Sequence, residues 1–170
     1  SSLHPSRHTV KPGIPLNQVR VPAYLPDTKT VRDRIASYYT RIQEMDSFVA
    51  KHLRDLEDAG LAEDTIVFYY SDHGGIMPRS KRFVYDSGTH VPLVVRFPKK
   101  WAHLSPHKPG TQTDERVGFV DFAPTILSLI GADIPVHMQG RAFLGEKTSP
   151  APKYAHTFRA LSLIHISEPT

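Results

Sequence analysis

Asp72-His73-Gly74-Gly75 begins where an apolar run rich in β-branched and aromatic residues, Thr65–Ser71, stops. A carboxylate oxygen beside an imidazole nitrogen is a mixed donor pair. It suits Zn²⁺, Mn²⁺ or Mg²⁺, and Ca²⁺ where oxygens dominate the rest of the shell. Neighbouring side chains on an extended strand point to opposite faces. Asp72 and His73 can therefore meet on one ion only if the chain turns out of the strand near Asp72. Glycine accepts positive φ, so Gly74 and Gly75 are expected to make that turn. Two donors do not complete a metal shell, and the others are expected from an N-terminal part absent from this sequence. On these four residues alone, the alternative is that Asp72 caps a turn and His73 is solvated.

The residues that follow add charge. About twenty positions without a helical pattern separate Thr65–Ser71 from a second strand-like run, Val91–Phe97. Loops of that length are commonly functional. This one carries Arg79, Lys81 and Arg82 shortly after the donor pair. Any one of them alone reads as a solvated surface charge. A lysine about 4 Å from an anion, at an effective dielectric of about 20, contributes on the order of 4 kcal/mol.

Positioning these groups requires elements on either side. Ile35, Tyr38, Tyr39, Ile42, Met45, Val49, Leu53 and Leu56 recur at three- and four-residue steps, which predicts a helix over 31–59. Thr30 with Asp33 resembles a capping box, and Gly60 suits the position just past the end. The apolar stripe is expected to pack on the protein's own sheet, with a partner-binding helix as the other reading. Asp46 is read as a surface polar residue of that helix. Neither strand run alternates cleanly, so both are expected to be covered on two faces. Pro92 falls at the start of its run, where a strand tolerates it. Val120–Ile130 predicts a shorter helix, with Asp121 at its cap, Pro124 in its first turn and Gly131 at its end. A helix followed by buried strands implies an α/β fold, a layered sheet flanked by helices. In such sheets ligands gather beyond the carboxyl ends of strands, which is where Asp72 and His73 stand.

The first thirty residues hold Pro5, Pro12, Pro15, Pro22 and Pro26 and read as an extended entry over a surface that further chain helps to build. The stretch from Ala132 to Tyr154 reads as loop. Ala160–Thr170, "ALSLIHISEPT", continues no pattern and is expected to be a non-native tail. Of the 170 residues, 39% are apolar, enough for a core. Lys and Arg number 21 against 17 Asp and Glu, a formal charge of +4 that is compatible with an anionic ligand. No basic run of the kind that binds nucleic acid is present. The chain has no cysteine, which excludes disulfides and thiolate metal sites within it. No apolar stretch reaches the roughly 18 residues of a membrane-spanning helix.

"SDHGG" followed by "KRFVYDSGTHVPLVVRFP" resembles the sulfatase family. That family shows Ser-Asp-(Asn/His)-Gly and then Lys-x-x-x-Tyr-(Glu/Asp)-x-Gly-x-Arg-Val-Pro-Leu. Lys81, Tyr85, Asp86, Gly88, Val91, Pro92 and Leu93 stand at matching spacing. The segment leading into the strand and "VDFAPTILSLIGADIPVHMQGRAFLG" are similar to the corresponding parts of the family. The N-terminal "VRVPAYLPDTKTVRDRIASYY" fits most closely a branch of heparan N-sulfatase-like and arylsulfatase-like bacterial enzymes. The resemblance covers about residues 1–158, and it implies that residues 1–159 are the C-terminal portion of an alkaline-phosphatase-like sulfatase domain.

The resemblance implies roles residue by residue. Asp72 and His73 match the family's second pair of metal ligands, for Ca²⁺ or alternatively Mg²⁺. Lys81 matches the lysine that contacts the sulfate, and His4 the histidine that meets the sulfate ester; a loop histidine in solvent is the other reading of His4. The implied parent enzyme is a sulfuric ester hydrolase acting on a sulfated small molecule or carbohydrate, with no nucleic-acid partner and a periplasmic or secreted location. Two departures stand out. His90 occupies a position where the family has Arg. The Cys/Ser-x-Pro-Ser-Arg motif that yields the formylglycine nucleophile is absent, since Leu3 stands two residues before Pro5-Ser6-Arg7. Formylglycine and the first pair of metal aspartates are thus expected in the N-terminal part, and these 170 residues alone are expected to be inactive. The competing readings are a metal-dependent phosphodiesterase or phosphatase of the same superfamily, and a non-catalytic binding remnant.

Overall fold

The computed structural model describes residues 13–155 and residue 157. His4, Pro5-Ser6-Arg7 and the tail from Ala160 lie outside the described residues. The chain divides after Ala62 into two compact units.

In the first unit the predicted helix is present as α1, Lys29–Asp58, two residues earlier at its start than expected. Its cap is Thr28 rather than Thr30: the Thr28 side chain accepts a hydrogen bond from the Val31 N–H at 3.3 Å. The far end follows the sequence. Gly60 adopts φ +70, and Leu61 N–H reaches back to the Leu56 carbonyl at 3.1 Å, closing a left-handed C-terminal cap. Lys29 with Asp33 and Lys51 with Asp55 pair one turn apart along the exposed face.

From Gly13 onward the proline-rich entry follows the first turns of α1. Arg32 holds it there. Its guanidinium donates to the Leu16 and Val19 carbonyls at 2.8 and 3.1 Å and grips Asp27 through both carboxylate oxygens. Those hydrogen bonds keep the Asp27 carboxyl below the usual carboxylate range. Val19, Ile35 and Ala36 are buried here. Farther along, Ile42, Met45, Phe48 and Leu53 remain exposed, so the apolar stripe is covered within its own unit only near its start.

The second unit contains β1, Val67–Tyr70, and β2, Leu93–Arg96, each shorter than its predicted run. They pair antiparallel, with Phe68 opposite Val95 and Tyr70 opposite Leu93. The expected cover on both faces is not found among the described residues. β2 alternates between half-buried and exposed positions, and Val94 is 58% exposed. The reason is that aromatic packing covers one face only: Tyr70 meets Phe122 edge-on at 4.8 Å, while Phe68 and Phe119 lie 6.3 and 5.5 Å from the same ring.

The second predicted helix begins as a 3₁₀ turn, Phe119–Asp121, and continues as α3, Phe122–Leu129. Between the strands lies α2, a single turn at Asp86–Thr89 that the sequence pattern did not announce. Asp121 precedes α3 as expected, but its buried carboxylate accepts from the Gly118 and Arg141 N–H groups, both at 2.9 Å. Gly131, at φ +72, ends the helix region. The Ala132–Tyr154 stretch is irregular, as its sequence implies, yet Ala142, Phe143 and Leu144 are buried. Polar side chains of α3 hold it. Thr125 accepts from Phe143 N–H at 3.1 Å and Ser128 from Lys147 N–H at 2.8 Å. Lys147 also pairs with Asp133, lowering that carboxyl's pKa through their hydrogen bond.

Thr125 is fully buried and joins two backbone segments, since its hydroxyl also donates to the Asp121 carbonyl at 2.6 Å. Thr125→Val keeps the shape and strands the Phe143 N–H. Urea unfolding is expected to show a loss of about 1–3 kcal/mol, the cost of an unsatisfied buried donor.

Candidate functional site

The site is assembled at the exit of β1. Ser71 Oγ donates to the His73 carbonyl at 2.7 Å, turning the chain out of the strand within two residues. Asp72 and His73, which a continued strand would send to opposite faces, are thereby brought together. His73 Nε2 lies 3.4 Å from an Asp72 carboxylate oxygen. His73 Nδ1 lies 2.7 Å from the Gly74 carbonyl, which can only accept, so Nδ1 carries a proton. In the neutral ring, Nε2 is then a bare lone pair facing a carboxylate oxygen. Two acceptors at that separation are unfavourable without a positive charge between or beside them. A proton on Nε2 meets that requirement, and so does a divalent cation, for which the Gly74 carbonyl would supply the outer contact that fixes a ligating imidazole. Among the described residues no group of three or more His, Cys, Asp or Glu side chains is placed to hold a metal.

The glycines serve a different purpose from the one expected. Neither Gly74 nor Gly75 has positive φ. Gly74 is required by proximity. Its N–H donates to the Gly88 carbonyl at 3.0 Å, and a Cβ at position 74 would stand 2.0 Å from the Ser87 carbonyl oxygen and 2.3 Å from Ser80 Oγ. Gly88 faces the reciprocal limit, with a Cβ there falling 2.2 Å from the Phe83 carbonyl oxygen. Two backbone stretches thus touch where neither carries a side chain. Ser80, buried at their junction, donates to the Ser87 carbonyl at 2.6 Å, and Ser87 Oγ returns a bond to the Arg79 carbonyl at 2.7 Å.

This folding-back brings the Lys81 backbone to Gly75. Lys81 N–H bonds the Gly75 carbonyl at 3.1 Å, so its backbone lies against the Asp-His-Gly-Gly turn. Its side chain is half-buried and makes no ion pair or side-chain hydrogen bond among the described residues. Arg79 and Arg82, on either side, adopt φ 65 and φ 69. Left-handed backbone at a residue with a long side chain is uncommon and concentrates at functional sites. His90, which stands in place of the family's Arg, is exposed and lies 3.4 Å from Asp86. Asp46 is on the exposed surface of α1.

Sequence reasoning missed Ser80, Ser87 and Gly88 as the clasp of the loop, although two glycines about fourteen residues apart in a non-helical stretch were a signal of close backbone approach. It also missed an aromatic pair. Phe83 and Tyr85 stack at 6.1 Å, with the Arg79 guanidinium 4.9 Å over the Tyr85 ring.

A family model described as sulfatase matches residues 7–132. The chain is 45% identical over 136 residues to an ulvan-active sulfatase of Formosa agariphila, covering 80% of this chain and 22% of that protein. It is 33% identical over 138 residues to the N-sulphoglucosamine sulphohydrolase of Homo sapiens, covering 74% of this chain and 26% of that one. An N-acetylglucosamine-6-O-sulfatase of Bacteroides thetaiotaomicron is 32% identical over 107 residues, 61% of this chain and 18% of its own length. The chain thus spans about a fifth to a quarter of the length of these curated relatives.

Gly74→Ala forces either the Ser87 carbonyl or the strand exit to move. The expected result is destabilisation of at least about 2 kcal/mol in denaturant unfolding, with Gly88→Ala similar, because overpacking against backbone cannot relax through a rotamer. An Ala at either position with an unchanged unfolding midpoint would show that the two backbones do not meet.

Proposed function

The chain belongs to the sulfatase family, and from that premise we propose that its parent protein is a sulfuric ester hydrolase releasing sulfate from a sulfated carbohydrate. The observation that carries the local assignment is the convergence of Asp72 and His73 at 3.4 Å just beyond β1. The carbohydrate class is supported by the relatives, whose names specify ulvan, N-sulphoglucosamine and N-acetylglucosamine 6-O-sulfate.

In this reading Asp72 and His73 hold a divalent cation, Ca²⁺ or alternatively Mg²⁺. When bound, that ion supplies positive charge toward the sulfuryl oxygens and the nucleophile. The Gly74 carbonyl keeps His73 in the tautomer that presents Nε2. Lys81, anchored through its backbone to Gly75, brings a second positive charge to the sulfate group. Charge builds on the sulfuryl and leaving oxygens as the ester bond breaks, and an ammonium beside them stabilises that charge. His4 is proposed to protonate the leaving oxygen. The formylglycine nucleophile and the other metal ligands are assigned to parts of the parent that this chain does not contain.

The same reading treats residues 1–159 as the C-terminal portion of the sulfatase domain and 160–170 as a non-native tail. The layered α/β architecture of the parent belongs to the proposal as well. Its support is uncovered apolar surface: Met45 and Phe48 on α1, and Val94 on the outer face of β2. Such surfaces are normally buried against another layer. A periplasmic or secreted location is proposed from the family relation alone.

The test is sulfate release by the full-length parent from a small aryl sulfate and from oligosaccharides cut from ulvan, with an aryl phosphate as counter-substrate. Lys81→Ala is expected to lower kcat/KM on the aryl sulfate about 10²- to 10³-fold, the scale for losing one group that stabilises developing charge. Asp72→Asn or His73→Ala is expected to weaken Ca²⁺ or Mg²⁺ binding by at least about tenfold, read by titration of the metal-stripped protein. Turnover of the aryl phosphate in preference to the sulfate would replace the sulfatase reading with phosphate chemistry.

A second expected outcome concerns the chain by itself. The purified 170-residue polypeptide should release no sulfate from either substrate, with or without added Ca²⁺, and any metal-dependent release above buffer would contradict the assignment of the nucleophile elsewhere.

A further inference from the structure

We infer that Ser80 and Ser87 are positioning residues for Lys81, fixing the backbone from which its ammonium reaches the sulfate group. The inference rests on the reading of Lys81 as a cation beside that group and adds two residues that act through it.

Lysine is poorly suited to placing its own charge. The ammonium is a point charge on a flexible four-carbon stem, with no rigid fork to orient it. At Lys81 nothing at the tip compensates, since the ammonium makes no ion pair or side-chain hydrogen bond among the described residues. Its place is set by the half-burial of the stem and by the backbone that carries it.

That backbone is fixed at every polar group leading into Lys81. The Arg79 carbonyl accepts from Ser87 Oγ at 2.7 Å, and the Ser80 N–H donates to the Met77 carbonyl at 3.1 Å. The Ser80 carbonyl accepts from the Phe83 N–H at 3.1 Å, and the Lys81 N–H donates to the Gly75 carbonyl at 3.1 Å. Both peptide planes before Lys81 are therefore held on both sides. The backbone-to-backbone bonds among these need no particular side chain, but the first belongs to Ser87. Ser80 answers it, its buried hydroxyl donating to the Ser87 carbonyl at 2.6 Å. The two serines thus tie the peptides before Lys81 to α2, and α2 is bound to the strand exit through the Gly88 carbonyl and the Gly74 N–H.

The hydroxyl at position 80 sits in a confined space, where a Cβ on Gly74 would fall 2.3 Å from Ser80 Oγ. Alanine would fit there and leave the Ser87 carbonyl without its partner, so the serine adds a directional bond rather than bulk. On the far side of Lys81 the chain leaves through Arg82 at φ 69, a conformation that persists only where the surroundings over-determine it. Support of this kind matters to a charge aimed at a transition state, because a displacement of about 1 Å can cost about 10²-fold in rate.

The test is a double-mutant cycle in the full-length parent, read as kcat/KM on a small aryl sulfate. Ser80→Ala and Ser87→Ala, each alone, are expected to lower it about tenfold and about threefold, within the range for a misplaced catalytic group. In a Lys81→Ala background each is expected to change it less than about twofold, because a residue acting only through the ammonium has nothing left to position. Equal losses in both backgrounds would show a merely structural role and overturn the inference, as would wild-type rates in both serine variants. Ser87 is exposed, so Ser87→Ala carries the cycle if Ser80→Ala fails to fold. No sulfate release by the wild-type parent would overturn the sulfatase reading, and a Lys81→Ala variant as active as wild type would overturn the role of Lys81; either result removes the positioning role with it.

Discussion

The approach of two backbones at Gly74 and Gly88 sets the geometry of everything around it. The Gly74 N–H meets the Gly88 carbonyl at 3.0 Å, and the space a methyl group would need at either glycine is already filled by backbone oxygen. Because of that contact, residues 71–92 do not wander as an open connection between two strands. They fold back on the strand exit and become a small packed body with Ser80 at its centre. The constraint also sets the Lys81 backbone, eight residues beyond His73, against the turn: its N–H bonds the Gly75 carbonyl. It also explains why strain can be held at Arg79 and Arg82, since a left-handed residue persists only when its surroundings over-determine it.

Against that frame of backbone bonds, the contact between Asp72 and His73 takes on a specific meaning. Asp72 is 80% exposed and His73 36% exposed in their side chains, so their interaction contributes little to stability as an ion pair. A surface pair of that kind would ordinarily be free to swing apart. Here the imidazole is fixed by the Gly74 carbonyl, and Ser71 Oγ holds the His73 backbone carbonyl. The ring of His73 is thus ordered beside Asp72 by its own backbone contacts and not by the strength of the ion pair.

Much of this was legible in the sequence, and what was not has identifiable physical causes. α1 and the region of α3 were readable because apolar periodicity and capping residues act locally, and Gly60 and Gly131 end their helices through positive φ as their positions imply. The start of α1 was misplaced because Thr28 and Thr30 are both competent caps, and the choice depends on how Arg32 draws in the preceding segment. Two-sided cover of the strands was inferred from the lack of clean alternation, but which faces are covered depends on the layers present, and among the described residues Phe119, Phe122 and their neighbours supply one. The approach of His73 to Asp72 follows the expected turn out of the strand. The reason for the glycines beside it could not be read, because conformational freedom and lack of bulk leave the same letter in the sequence. Only the position of Ser87, thirteen residues away, distinguishes them.

Among the described residues β1 is a strand of four residues paired with one neighbour, an arrangement that is marginal on its own. The support comes from further along the chain. Phe143 is held by its backbone bond to the buried Thr125 and stands 6.1 Å from Phe122. Phe122 meets Tyr70 edge-on at 4.8 Å, and Tyr70 is the last residue of β1 before the turn at Ser71. An irregular segment near residue 143 is thus linked through three aromatic rings to the residue that launches the donor pair. Each link is short-range and directional, with an unsatisfied N–H or an empty ring contact as the cost of breaking it. The polar interior of this unit, with Asp121, Thr125 and Ser128 buried among apolar residues, follows from the same requirement. A segment without helix or strand has no ladder to satisfy its backbone, and the side chains of α3 provide the partners that let it serve as a foundation.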